Sequence, residues 1–189
     1  MGTISGTNYK DNLDGSNEVD FIYGYDGNDT LSGGAGDDRL DGGPGTDSMS
    51  GGSGNDSYIV ENSNDVVTEN SSEGTDIIYA SVTYTTPDNV ENLSLYGLGN
   101  INATGNSLDN NLKGNSGSNI LDGDAGDDIL VGNAGDDTLS GGAGDDQLDG
   151  GPGTDSMSGG SGNDSYVVCN ASDVVTENSS EGTDIIYAS

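Results

Sequence analysis

Aspartates that recur every nine residues carry the chemistry of this chain. Cut from Gly24 to Ile59, the sequence reads GYDGNDTLS, GGAGDDRLD, GGPGTDSMS, GGSGNDSYI. Every unit has Gly first, Gly fourth, Asp sixth (Asp29, Asp38, Asp47, Asp56) and an apolar residue eighth. A Gly-Gly-x-Gly loop admits positive φ and close backbone approach, so it can turn its carbonyls inward, and the Asp adds a carboxylate to them. Neutral and charged oxygens converging on one point suit a hard cation, and calcium takes roughly six to eight of them at about 2.3–2.6 Å. Acid–base catalysis is the competing use of clustered carboxylates, but it needs one group set apart in a pocket of its own. Here each Asp is one of a lattice of equivalents, and with no histidine and a single cysteine neither a Ser/His nor a Cys/His pair can form. The chain is expected not to be an enzyme.

The period also dictates the elements that hold these loops. A fixed repeat this short means a solenoid, each unit being one short strand plus one turn. The x-apolar-x after each Asp is a minimal strand with one side chain inward and its neighbours outward. Two units make a coil of eighteen residues with a sheet on each side. Cations then sit between loops eighteen residues apart, along one edge carrying Asp11, Asp29 and Asp47 and another carrying Asp20, Asp38 and Asp56.

Composition fits a fold that depends on bound cations. The net charge is −31 with only Lys10, Arg39 and Lys113 basic, 34 of 189 residues are glycine, and the apolar fraction is 29%. Low hydrophobicity with high charge is the signature of disorder, yet the period is too strict for disorder. The conflict resolves if cations supply the missing stability, so that without them the carboxylates repel and the chain stays open. This acidity argues against nucleic acid or an anionic membrane as a partner. No apolar run approaches the length of a membrane-spanning helix, and MGTISGTNYK lacks the pattern of a cleaved secretory signal. Cys169 stands alone, so no disulfide framework is possible within the chain. Cys169 takes the place that Glu61 has in an earlier copy of the same segment and is read as a neutral substitution.

The pattern G-G-x-G-x-D-x-apolar-x resembles the haemolysin-type calcium-binding nonapeptide of RTX (repeats-in-toxin) proteins. The resemblance implies an all-β fold, a parallel β-roll (a β-solenoid) of two short-strand sheets, eighteen residues per coil, with several calcium ions in the loops. The expected carboxylate ligands are Asp20, Asp29, Asp38, Asp47, Asp56, Asp128, Asp137, Asp146, Asp155 and Asp164. The expected carbonyl ligands are those of the second and fourth positions: Gly34, Gly36, Gly43, Gly45, Gly52, Gly54, Gly142, Gly144, Gly151, Gly153, Gly160 and Gly162. Asn110 and Asn119 stand at sixth positions without a charge, so calcium there is expected to be weak or absent. The resemblance also implies secretion through type I machinery that reads a C-terminal signal, and the chain stops inside a repeat at Ser189.

Four segments follow. Residues 1–59 form the first calcium-binding array, whose opening units keep Asp11 and Asp20 but lack the inner glycines. Residues 60–104 are poor in glycine and rich in β-branched and aromatic residues, and their register slips so that Asp76 falls two places late. They are expected to continue the solenoid with few or no calcium loops, a small separate β insertion being the alternative. Residues 105–167 form the second array, and 168–189 begin a second calcium-poor segment. A longer repeat lies over the short one: residues 31–81 and 139–189 differ at five positions, an offset of 108 residues or six coils.

The function expected is a calcium-stiffened structural module of a secreted or cell-surface bacterial protein, part of an adhesin, sheath or surface filament. The alternative is a calcium-dependent accessory module of a type I-secreted toxin or enzyme. A carbohydrate-binding face is disfavoured, because the nine tyrosines are spread along the chain. Both ends fall mid-pattern, so further repeats of the same polypeptide, or identical chains stacked end to end, are the partners expected beside calcium.

Overall fold

Alternation along each short strand decides what lies inside a coil. In the computed structural model, which describes residues 1–188, positions six, eight and one of the repeat face inward and their neighbours face out, as a period of two requires. In the unit at 33–41, for example, Asp38 and Leu40 are buried, and so is Gly42, which opens the next unit. Each repeat thus contributes an Asp, an apolar side chain and a Gly to the interior.

The chain divides into two units. The first (Met1–Val82 and Pro87–Asn92) contains β1 (Gly2–Ser5), β2 (Asn12–Asp14), β3 (Asp20–Tyr23), β4 (Thr30–Ala35), β5 (Arg39–Asp41), β6 (Ser48–Ser53), β7 (Ser57–Val60), β8 (Val66–Val67) and β9 (Ile77–Ala80). Odd-numbered strands pair in the order β1-β3-β5-β7-β9 and even-numbered ones in the order β2-β4-β6-β8. All pairings are parallel, with partners eighteen residues apart: Leu31↔Met49, Ile22↔Leu40, Leu40↔Tyr58. One coil departs from this. Val66 still pairs with Ser48, but Ile77 pairs with Ser57, twenty residues away. The late arrival of Asp76 is therefore a coil longer by two residues.

The second unit (Thr83–Thr86 and the residues from Leu93 on) contains β10 (Tyr84–Thr85), β11 (Asn92–Leu95), β12 (Ala103–Thr104), β13 (Asn111–Lys113), β14 (Ile120–Ala125), β15 (Ile129–Val131), β16 (Thr138–Ala143), β17 (Gln147–Asp149), β18 (Ser156–Ser161), β19 (Ser165–Val168), β20 (Val174–Val175) and β21 (Ile185–Ala188). Its sheets follow the orders β11-β13-β15-β17-β19-β21 and β10-β12-β14-β16-β18-β20. The twenty-residue coil recurs, with Ser165 paired to Ile185. The fold is thus an all-β parallel β-roll, as expected, with no helix among the described residues.

The apolar core is a stack of single side chains. Ile22, Leu40, Tyr58 and Ile78 form one column of the first unit, and Leu121, Leu139 and Met157 form one of the second, all essentially inaccessible. Burying one such side chain stabilises by about 1.5–3 kcal/mol, a thin return for a repeat of nine residues. Register makes the test simple. Leu121 is fully buried and its strand neighbour Ile120 is 53% exposed. Leu121→Ala is expected to cost about 2–5 kcal/mol and Ile120→Ala under about 0.5 kcal/mol, read by thermal melting in calcium. Equal losses would place the strand face wrongly.

Candidate metal centre

Each inward Asp uses its two oxygens differently. Oδ1 accepts a hydrogen bond from the backbone N–H of the Asp one coil earlier. On one edge of the first unit Asp20 donates to Asp38 (2.7 Å), Asp38 to Asp56 (2.6 Å) and Asp56 to Asp76 (2.7 Å). On the other edge Asp11 donates to Asp29, Asp29 to Asp47 and Asp47 to Asp65, at 2.7–3.0 Å. In the second unit the ladders run Asn110–Asp128–Asp146–Asp164–Asp184 and Asn119–Asp137–Asp155–Asp173. The sequence-predicted carboxylates are therefore stacked along loop edges as the period requires.

Oδ2 is the informative atom. In Asp29, Asp38, Asp47, Asp56, Asp128, Asp137, Asp146, Asp155 and Asp164 it is buried and has no hydrogen-bond partner. A buried, unpaired carboxylate oxygen costs far more than any side-chain packing here can return. A cation is a group that fits, because once the carboxyl has lost its proton a positive charge satisfies an acceptor-only atom facing another acceptor. The first-position glycine shows the convergence. A Cβ on Gly24 would stand 2.5 Å from Asp29 Oδ2 and 2.5 Å from the Gly42 carbonyl oxygen one coil on. Carboxylate and carbonyl oxygen thus meet where a side chain would otherwise be.

Where the loop lacks its inner glycines, the Asp is satisfied by protein. Asp20 Oδ2 accepts the backbone N–H (2.8 Å) and hydroxyl (2.7 Å) of Ser16, which hold its carboxyl below the usual range. Asp11 Oδ2 accepts the same pair from Thr7. At the neutral site Asn119, the amide donates to the Ile101 carbonyl (2.6 Å). Asp20 therefore differs from the other nine expected carboxylate ligands.

The expected second- and fourth-position glycines stack one coil above another. Gly34 pairs with Gly52, Gly142 with Gly160, and Gly45 forms a bridge with Gly27. The second position needs positive φ: Gly34 has 105° and Gly142 has 115°, and even Tyr25 and Asp124 adopt 71° and 74° there. Gly36, Gly54, Gly144 and Gly162 repeat this at the fourth position, while Gly43, Gly151 and Gly153 complete the stacks in the loops at 42 and 150. The fourth-position carbonyls of Gly45 and Gly153 accept the side-chain amides of Asn62 and Asn170. Beyond the nonapeptide pattern, Glu69 joins Asp56 and Asp76, and Glu177 joins Asp164 and Asp184. Counting eighteen residues from Gly51 and from Gly159 leads to these glutamates, a signal hidden by the register slip that follows.

Burial pushes the carboxyls of Asp47, Asp137 and Asp146 up to about 6 and those of Asp56 and Asp128 up to about 7, with acidic neighbours one coil away adding to it. A raised folded-state pKa means the roll holds these protons more tightly than the unfolded chain does. Metal-free stability from these groups is then fully present below about pH 4 and is lost as pH rises through about 6 to 7. Calcium acts in the opposite direction, since a carboxyl must lose its proton to ligate it. In chelator, the circular dichroism β signal is expected near pH 4 and absent above pH 7, where added calcium restores it. A pH-independent signal in chelator would overturn this.

Asp38→Ala or Asp146→Ala removes a carboxylate standing between two stacked loops and is expected to lower the calcium stoichiometry measured by equilibrium dialysis. Asn119→Ala should leave it unchanged. Equal effects would refute the distinction between charged and neutral loops.

The repeat pattern is shared with known proteins. A family model described as RTX calcium-binding nonapeptide repeat (4 copies) matches residues 5–40, 23–58, 32–67, 104–139 and 131–166, more than half of the chain. No curated protein sequence matches it. With the coil length, the glycine-lined loops and the unpartnered carboxylates in agreement, the chain belongs to the RTX calcium-binding nonapeptide repeat family.

Proposed function

We propose that this chain is a non-catalytic structural module of a secreted or cell-surface bacterial protein, stiffened by extracellular calcium, and part of an adhesin, sheath or surface filament. The observation that carries this reading is the 108-residue block. Residues 31–81 and 139–188 carry the same loops, the same Asp ladder and the same twenty-residue coil in both units. Repetition at this fidelity serves length and stiffness, whereas a catalytic or ligand-binding site would be made once. Bound calcium would supply the charge that the buried Oδ2 atoms lack. The backbone ladder and the apolar stack would then hold each coil against its neighbours.

Further coils, from more of the same polypeptide or from an identical chain, are the partner proposed. In strand β21, Ile186 follows Tyr166 in the inward column and is 56% exposed, whereas Ile78, at the same place in the first unit, is fully buried, so a further coil would have an apolar side chain to cover. Family membership supports a second reading, an accessory module of a type I-secreted toxin or enzyme, in which folding on external calcium draws a passenger outward. Neither reading involves a membrane-spanning segment of this chain, and among the described residues no helix is long and apolar enough to cross a membrane.

Single-molecule stretching tests the structural role. In calcium the tethered chain is expected to resist extension until discrete unfolding steps occur, and in chelator at neutral pH it should extend as a featureless coil. Identical force–extension curves in the two buffers would overturn the structural reading.

A further inference from the structure

The twenty-residue coil brings together a group of side chains that the nonapeptide loops do not contain. Val67 still follows Met49 by eighteen residues, while the Gly54 N–H bonds the Glu73 carbonyl, nineteen residues on, where Gly36 bonds Ser53, seventeen on. The two extra residues therefore enter between Val67 and Glu73. Glu69 lies in this stretch, at the register position where the other calcium loops have their first glycine. In those loops the position is confined to glycine, because the Asp Oδ2 fills the space a side chain would need. The longer coil makes room for a glutamate there.

Glu69 points into the loop edge. Its Oε1 accepts the N–H of Gly51 (3.1 Å) and the hydroxyl of Tyr58, and that hydroxyl also accepts the Gly51 N–H (2.6 Å). One oxygen each of Asp56, Glu69 and Asp76 lies within 4.8 Å of the others, and all three residues are at least nine-tenths buried. Asp56 Oδ2 and Glu69 Oε2 have no hydrogen-bond partner. No lysine or arginine pairs with any of the three among the described residues. Three carboxyl groups gathered in this way cannot all stay ionised unless a cation lies between them.

We propose that Asp56, Glu69 and Asp76, beside the Tyr58 hydroxyl, form a three-carboxylate cation site that closes the first array, distinct from the two-carboxylate nonapeptide loops. Asp164, Glu177, Asp184 and Tyr166 repeat it in the second unit, where Asp164 Oδ2 and Glu177 Oε2 are again without partners. The extra carboxylate favours hard ions of high charge, calcium and trivalent lanthanides, over the neighbouring loops. These sites fill first as metal is added. Each also ties the first widened turn to the last regular loop, because Asp56 is shared with the ladder and Glu69 is not.

The test uses the full chain. Glu69→Gln with Glu177→Gln keeps the shape and removes one charge from each site. It is expected to weaken the binding of the first two calcium ions per chain about ten-fold or more, down to the affinity of the regular two-carboxylate loops, with β structure in calcium retained. Unchanged affinity for those first two ions overturns the proposal. Tyr58→Phe with Tyr166→Phe leaves every carboxylate in place and serves as the second arm if the glutamine variant fails to fold. Tyrosine-excited terbium emission at the first equivalents of metal is expected to fall several-fold in this variant, and undiminished emission likewise overturns the proposal. Asp38→Ala tests the regular loops separately. A loss of ions there beside unchanged affinity for the first two ions in the glutamine variant refutes only the three-carboxylate site.

Discussion

A carboxylate turned inward and half satisfied is the constraint on which this fold depends. The Asp at the sixth position must point into the coil, because it lies two residues before an apolar side chain that does. One oxygen is absorbed by the backbone N–H of the coil before, which ties successive coils together. The other is left buried and unpartnered in nine of the repeats. A roll with so small an apolar core carries that many unpaired buried oxygens at a high cost, which a bound cation or a proton on the carboxyl would relieve.

The other interior positions follow from the Asp. Glycine opens each unit because the Asp Oδ2 and a carbonyl from the next coil already fill the place of its side chain. The second-position glycine follows from a left-handed backbone that Tyr25, Asp124 and Asn133 also adopt. Only the eighth position is left for an apolar side chain, and its stacking over the same position one coil away makes the core a column.

Coils whose Asp Oδ2 is paired within the protein use a different chemistry for the same geometry. Ser16 and Thr7 offer a hydroxyl and an N–H where the other loops have a glycine, and Asn119 brings its own donor. Asn62 and Asn170 cap carbonyls of the preceding loops. In each case a neutral donor stands where a bound cation would serve in the loops with unpartnered carboxylates. The same eighteen-residue parallel pairing thus holds for a coil whose Asp is satisfied by protein donors and for one whose Asp Oδ2 is left unpartnered.

The nine-residue period by itself determined the coil length, the strand pattern, the inward apolar column and the identity of the stacked aspartates, because each depends only on residues at fixed spacing. The period also separated Asn110 and Asn119 from the charged sites, since a neutral amide is visible as a letter. Tertiary structure decided what spacing does not encode. That Asp20 is satisfied by Ser16 while Asp29 is not depends on how a hydroxyl reaches across a turn. The late position of Asp76 looked like a lost register, and the structure resolves it as a coil lengthened by two residues. The meeting of Glu69 with Asp56 and Asp76 depends on that lengthening, and only the stacking of one coil on the next brings residues so far apart in the chain to one point.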